Sequence, residues 1–361
     1  MQPGISRAPL CACLAGAGAL WLAAIGAQAQ AAPQYRIAHE VSLPGDGGWD
    51  DLTFDDGGHR LFIAHGSEVQ VVDADKLTLA GIIADTPGVH GIALAGDVGH
   101  GYVSAGRSGT IVVFDLKSLA RLKEIKTTGD NPDAILYDSA THRVFSFNGR
   151  GRNVTAVDAK TDEVIGTIAL DAKPEFAVSD GKGTLYVNLE DKSSIAQIDT
   201  QHLTVGAVWP IDGCEEPSGL AIDLAGQRLF AGCSNKVMAV LDIRSGRTIG
   251  TAPIGAGVDG AKYDSGTHQA FASCGEGVLS VIGTGADGKP KVVQSLPTQR
   301  GARTMALDEH AHRVFLVTAH LGAPPAATAD NPHPRPAILP GTFRLLVVEP
   351  VKPTTAPGTH P

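Results

Sequence analysis

Short apolar runs recur along the chain at a nearly constant interval, and each closes on an acidic residue. Val69-Gln70-Val71-Val72-Asp73, Ile111-Val112-Val113-Phe114-Asp115, Val154-Thr155-Ala156-Val157-Asp158, Ile195-Ala196-Gln197-Ile198-Asp199 and Val237-Met238-Ala239-Val240-Leu241-Asp242 are five of them. Their aspartates lie 42, 43, 41 and 43 residues apart. A sixth run, Leu279-Ser280-Val281-Ile282, ends near Thr284, 42 residues further on. The seventh, Leu345-Leu346-Val347-Val348-Glu349, follows after 65 residues, one period plus an insertion of about 23. The insertion shows itself directly, because Leu321 to Gly341 carries six prolines and no strand pattern.

Within each period the order repeats. An apolar stretch ends at an acidic turn, as in Leu52-Thr53-Phe54-Asp55 or Leu220-Ala221-Ile222-Asp223. A second strand follows, such as Arg60-Leu61-Phe62-Ile63, Arg143-Val144-Phe145 or Arg228-Leu229-Phe230, then the Asp-terminated run, then a more polar strand such as Glu163 to Ile168. Four short β-rich runs per period of 40 to 45 residues describe a propeller blade. The last copy stops after three strands, while Tyr35 to Val41 reads as an unpaired strand ahead of the first. Joining the two hides both sheet edges. The expectation is an all-β chain: a seven-bladed β-propeller of four-stranded blades over residues 35–350, closed by its N-terminal strand. Blade 7 then carries the insertion 321–341, and residues 351–361 form a disordered Pro-rich tail.

The first thirty-one residues stand outside this pattern. Arg7 is the single charge ahead of an apolar stretch from Ala8 to Gly26, and Ala27-Gln28-Ala29 and Ala29-Gln30-Ala31 both fit a small-x-small cleavage rule. This reads as a secretory signal peptide over residues 1–31, with an uncleaved membrane anchor as the alternative. The mature chain is then expected in the periplasm, without stable membrane insertion. The formal charge is −9, and Lys and Arg never cluster. A chain that grips nucleic acid needs a basic face, so nucleic acid is excluded as a partner. Nothing in the pattern calls for more than a monomer.

The repeats resemble the YVTN/YncE-like family of secreted bacterial seven-bladed β-propellers. The residues that carry the resemblance are the apolar runs ending in Asp and the turns of the type Asp138-Ser139-Ala140-Thr141-His142-Arg143-Val144-Phe145. It spans roughly Tyr35 to Pro350. It implies a binding or accessory role and no shared catalytic motif, and a fold alone assigns no function.

Aligning the periods separates what recurs from what varies. His59, His100, His142, His268 and His312 fall in one turn slot, and Asp73, Asp115, Asp158, Asp199 and Asp242 in another. Such recurrence signals turn chemistry. The position opening the innermost strand behaves differently: Asp50, His90, Asp133, Glu175, Ser218, Asp259 and Arg303 occupy it, one per blade. These seven polar residues are expected to ring one mouth of the central channel. The ends of the second strands, with His65, Asn188 and the nearby His320, are expected on the same face. The candidate ligand site is therefore Asp50, His65, His90, Asp133, Glu175, Asn188, Asp259, Arg303 and His320. No short ligand spacing marks a metal, so no cofactor is called for, with a divalent ion as the remaining alternative.

Cys214 and Cys233 are the favoured disulfide, closing a loop of about 20 residues, with Cys233–Cys274 as the competing pairing. There is no GxSxG elbow, no P-loop and no strand-to-helix GxGxxG. The reading is a periplasmic binding or scaffold protein that engages a small molecule or a periplasmic protein partner at the channel mouth. The alternative is a lactone- or ester-hydrolase, or a metal-dependent enzyme, with Glu175 or Asp133 positioning water, His90 as base and Arg303 stabilising an oxyanion.

Overall fold

A computed structural model describes residues 33–326 and 336–351. The expected signal peptide, the tip of the insertion and the tail beyond Val351 lie outside the described residues. Among the described residues seven four-stranded antiparallel sheets make up the fold, and helix is confined to one short turn at Glu190–Lys192. Each of the first six sheets is a single consecutive meander. Blade 1, for example, runs through Trp49–Asp55, Arg60–His65, Glu68–Asp73 and Thr78–Ile83.

The seventh sheet confirms the closure. Its inner three strands are Met305–Asp308, Arg313–Thr318 and Arg344–Pro350, and the outermost is Tyr35–Ser42 from the other end of the chain. Tyr35 pairs with Pro350 and Ser42 with Arg344, with one irregularity between Ile37 and His39. Tyr35 is buried edge-on against Phe271 of the neighbouring blade, so the strap also seals the interface between blades.

The alternating pattern of the strands explains the packing. The two middle strands of a blade are buried on both faces, as in Leu61 to Ala64 and Ile111 to Phe114, the innermost strands are only partly buried, and outer strands such as Thr78–Ile83 expose most of their residues. Sheets buried on two faces interdigitate with the next blade, and seven apolar clusters, most of them spanning adjacent blades, form the core.

The recurrent aspartates do what their recurrence implies. Asp73, Asp115, Asp158, Asp199 and Asp242 each accept hydrogen bonds from backbone N–H groups two and three residues on. The histidine slot needs one correction. His59, His142, His268 and His312 share a left-handed backbone, and Gly99, not His100, takes that conformation in blade 2. His100 sits one residue later, where blades 1 and 3 carry Arg60 and Arg143. The slot selects for positive φ, which explains why Gly and Gln227 also occupy it.

Candidate functional site

Six of the innermost strands break register where they open: between Trp49 and Leu52, Val89 and Ile92, Pro132 and Ile135, Pro174 and Ala177, Pro217 and Leu220, and Val258 and Gly260. Such irregularities leave residues outside the ladder and re-aim their side chains. The residue released is the polar one that varies from blade to blade. Several of these residues are followed by glycine, and at Gly219 an added Cβ would stand 2.7 Å from the backbone of the next blade at Asp259 and Ala261. Close backbone approach thus sets how narrow the channel is at this level.

Asp50, His90, Asp133, Glu175, Asp259 and Arg303 converge on one well of about 270 Å³. Contacts run around most of its rim. Arg303 Nε donates to Asp259 Oδ2 at 2.8 Å and its Nη2 to the Trp49 carbonyl at 3.0 Å, lying 3.5 Å from Asp50 Oδ1. His90 Nδ1 is 2.6 Å from Asp50 Oδ2 and 3.5 Å from Asp133 Oδ1. Ser218 donates its hydroxyl to Asp259 Oδ1 at 2.9 Å. Glu175 is held from outside the ring by Lys173 at 2.8 Å, and Lys173 also pairs with Glu190.

The remaining predicted residues lie elsewhere. His65 is buried, stacked on Phe343 with ring centroids 4.3 Å apart, and burial lowers its pKa. Asn188 is buried and donates its amide to the carbonyls of Ser218 and Gly219. His320 is exposed, its backbone N–H bound to Thr342 at the root of the insertion. The ends of the second strands face the blade interfaces and not the well, because the ladder there continues unbroken and keeps the side chains perpendicular to the sheet.

Two residues escaped the sequence reading. Asp51 follows Asp50 within the same irregularity and also lines the well. Lys173 precedes the inner strand of blade 4. An acidic doublet, where blades 2, 3, 5 and 6 place a polar residue before Gly or Ala, was the available signal.

Negative charge is in excess here. Burial raises the Asp133 carboxyl to about 6, helped by the charges of Asp50 and Asp259 and opposed by His90. Burial raises Glu175 to about 8, with Asp133 adding to it against Lys173. Asp51 is pushed to about 7 by burial, which Lys262 only partly offsets. Asp259 is raised by burial despite Arg303. For His90 burial pulls downward, but the bond to Asp50 and the charges of Asp133 and Asp50 prevail and raise it.

Two further cavities are present, one beside the well and one at the opposite end of the blades. The first, of about 420 Å³, is lined by Trp49, Gly301, Arg303, Leu321, Pro336 and Ile338. The insertion is therefore rooted next to the mouth, where Leu321 and Ile338 form a bridge and pack on the blade 7–blade 1 core. A larger groove of about 520 Å³ contains His59, Asp75, Asp308 and Arg313. Its charges are matched internally, since Arg313 pairs with Asp308 and Asp75, and His59 with Asp75.

Cys214 and Cys233 form the favoured disulfide, with Cα atoms 5.4 Å apart. Cys274 is free and buried, and burial pushes its thiol up to about 12. Among the described residues no helix is long and apolar enough to cross a membrane.

No protein-family model and no curated protein matches the chain. Solved structures match the fold. Hydrazine synthase of Kuenenia stuttgartiensis superposes with a TM-score of 0.65 at 17% identity, over 76% of this chain and 94% of that one. A structure of U3-55K gives 0.69 at 9% identity, over 86% and 98%. A chain of a mitotic checkpoint complex gives 0.70 at 13% identity, over 96% and 99%. At these identities the likeness establishes the propeller and nothing of the chemistry at its mouth.

Proposed function

We propose that this protein is a secreted, periplasmic propeller of the YVTN/YncE-like kind that binds a small positively charged ligand at the mouth of its channel. One observation carries the reading: half-buried carboxyl groups from several blades converge on an open well with too few cations to match them. A cation entering the well supplies the missing charge where water is partly excluded and electrostatic attraction is stronger than at the surface. The Cys214–Cys233 disulfide supports an oxidising compartment. The adjoining apolar cavity offers room for the uncharged part of a ligand.

Binding is favoured over hydrolysis by the state of the groups that hydrolysis would use. His90 Nδ1 is engaged by Asp50, and Arg303 is committed to Asp259 and the Trp49 carbonyl. With Nδ1 held by Asp50 and the Nε2 edge set against Gly106, His90 does not face the well as a base, and Arg303 spends Nε and Nη2 on protein acceptors.

Calorimetric titration with a panel of butane-1,4-diamine, alkylammonium salts, divalent metal chlorides and carboxylate anions tests the reading. At least one cation should saturate one site per chain, no anion should, and the double variant Asp133→Asn/Glu175→Gln should lose the response. Saturation by anions alone, or undiminished cation binding by the double variant, would overturn it.

A further inference from the structure

Resting on that reading, we propose that Asp50, His90 and Asp133 form a binding site for a single divalent transition ion. The three residues come from the innermost strands of blades 1, 2 and 3, and one donor atom of each lies within 4.8 Å of the other two. The His90 Nδ1 separations are 2.6 Å to Asp50 Oδ2 and 3.5 Å to Asp133 Oδ1. Around an ion bound at about 2.1 Å, neighbouring donor atoms sit roughly 3.0–3.4 Å apart. Closing the widest separation, at most 4.8 Å, to that range takes small side-chain rotations and no movement of a strand.

The imidazole is already turned the right way. Its Nε2 edge lies against Gly106, where an added Cβ would stand 2.6 Å from Nε2. Nδ1 is thereby left facing the two carboxylates. Each carboxylate is in turn steered through its other oxygen: Asp50 Oδ1 lies 3.5 Å from Arg303 Nη2, and Asp133 Oδ2 accepts from Asn131 Nδ2 at 3.4 Å. Partners of this kind behind the donors are what orients ligands at protein metal sites. The three side chains are 23%, 28% and 30% exposed, so they are not freely solvated surface groups. They border the open well, where water or a small ligand can complete the coordination.

Donor chemistry selects the ion. One imidazole nitrogen and two carboxylates suit zinc, manganese, cobalt or ferrous iron. Calcium asks for six to eight oxygens, and magnesium for a nearly all-oxygen octahedron, which this donor set does not supply.

The test uses untagged protein purified without chelator, stripped with EDTA and titrated with ZnCl2, CoCl2, MnCl2 and CaCl2. Zinc and cobalt should bind one per chain, cobalt should develop a visible absorption band that zinc abolishes, and calcium should give no saturable heat. His90→Ala should weaken zinc by more than the roughly 10–100-fold that losing an outer partner produces. The nearly isosteric Asp133→Asn should weaken it as well, and circular dichroism should show both variants folded. His202→Ala, on an exposed turn away from the well, should change nothing. A wild-type protein that binds no transition ion but does bind butane-1,4-diamine overturns the metal site and leaves the cation-binding reading standing. If neither class of cation binds, both fall. Zinc bound with equal affinity by His90→Ala places the ion elsewhere and overturns the site.

Discussion

The two ends of the same repeat treat carboxylates in opposite ways. At the turns following the third strand, Asp73, Asp115, Asp199 and Asp242 are held below the ordinary carboxylate range by side-chain and backbone donors of their own turns. At the channel mouth, Asp51, Asp133, Glu175 and Asp259 are driven above it, first by burial and then by one another. A turn aspartate finishes the local backbone and is satisfied before any ligand arrives. A mouth carboxylate belongs to no turn motif, and Asp50, Asp133 and Asp259 find His90 or Arg303 on other blades. Recurrence within the repeat thus marks groups that serve the fold, and variation marks groups that the fold holds at a cost to stability.

The largest effect expected from breaking this contrast concerns the scaffold on the mouth side. Replacing both Cys214 and Cys233 by Ser should lower unfolding stability by about 3 kcal/mol, read from urea titration. A loss far smaller than that would show that the loops around blade 5 hold the mouth without the disulfide. Gly219→Ala should come next, at about 1–3 kcal/mol, because its Cβ meets the backbone of the next blade. A neutral outcome would mean the blades can slide apart at the mouth.

The mouth carboxylates should respond in the other direction. At pH 8 in the absence of metal, Glu175→Gln should raise Tm by roughly 2–4 °C, the shift that about 1 kcal/mol produces in a domain of 150–250 residues. Asp199→Asn at the turn face should lower it slightly. Equal signs for the two substitutions would erase the distinction between the two ends.

The pH profile sharpens the same point. Folded Glu175 holds its proton up to about pH 8 and Asp133 to about pH 6, whereas an unfolded chain releases both near their ordinary values. Raised His90 acts with the same sign, its contribution being complete below the ordinary imidazole range and lost as pH rises. Between these limits Glu175, Asp133 and His90 together bind more protons in the folded state, against the opposite pull of buried His65, so stability should fall as pH rises from about 4.5 to about 8. Below that window the turn aspartates reverse the trend, because protonating them removes their bonds to the turns. Melting curves of metal-free protein across pH 4–9 read both slopes, and a flat profile in the upper window would refute the raised values.

The period of 41 to 43 residues, the Asp-terminated strands and the unpaired strand at Tyr35 made the propeller and its closure legible in the sequence. Each is a local property: a strand's alternation and a turn's donors depend on residues within reach along the chain. The varying position also picked out Asp50, His90, Asp133, Glu175, Asp259 and Arg303 as one rim. His65, Asn188 and His320 were misplaced because alternation alone does not say which of two faces points into a channel and which into the next blade. Asp51 was missed because the irregularity that exposes two consecutive residues is visible only once the register is known. The pairing of His90 with Asp50 and Asp133, and of Arg303 with Asp259 of the neighbouring blade, was decided by tertiary structure alone. Those contacts join residues about 40 positions or more apart, and their geometry is set by how closely the blades pack and not by any pattern within one blade.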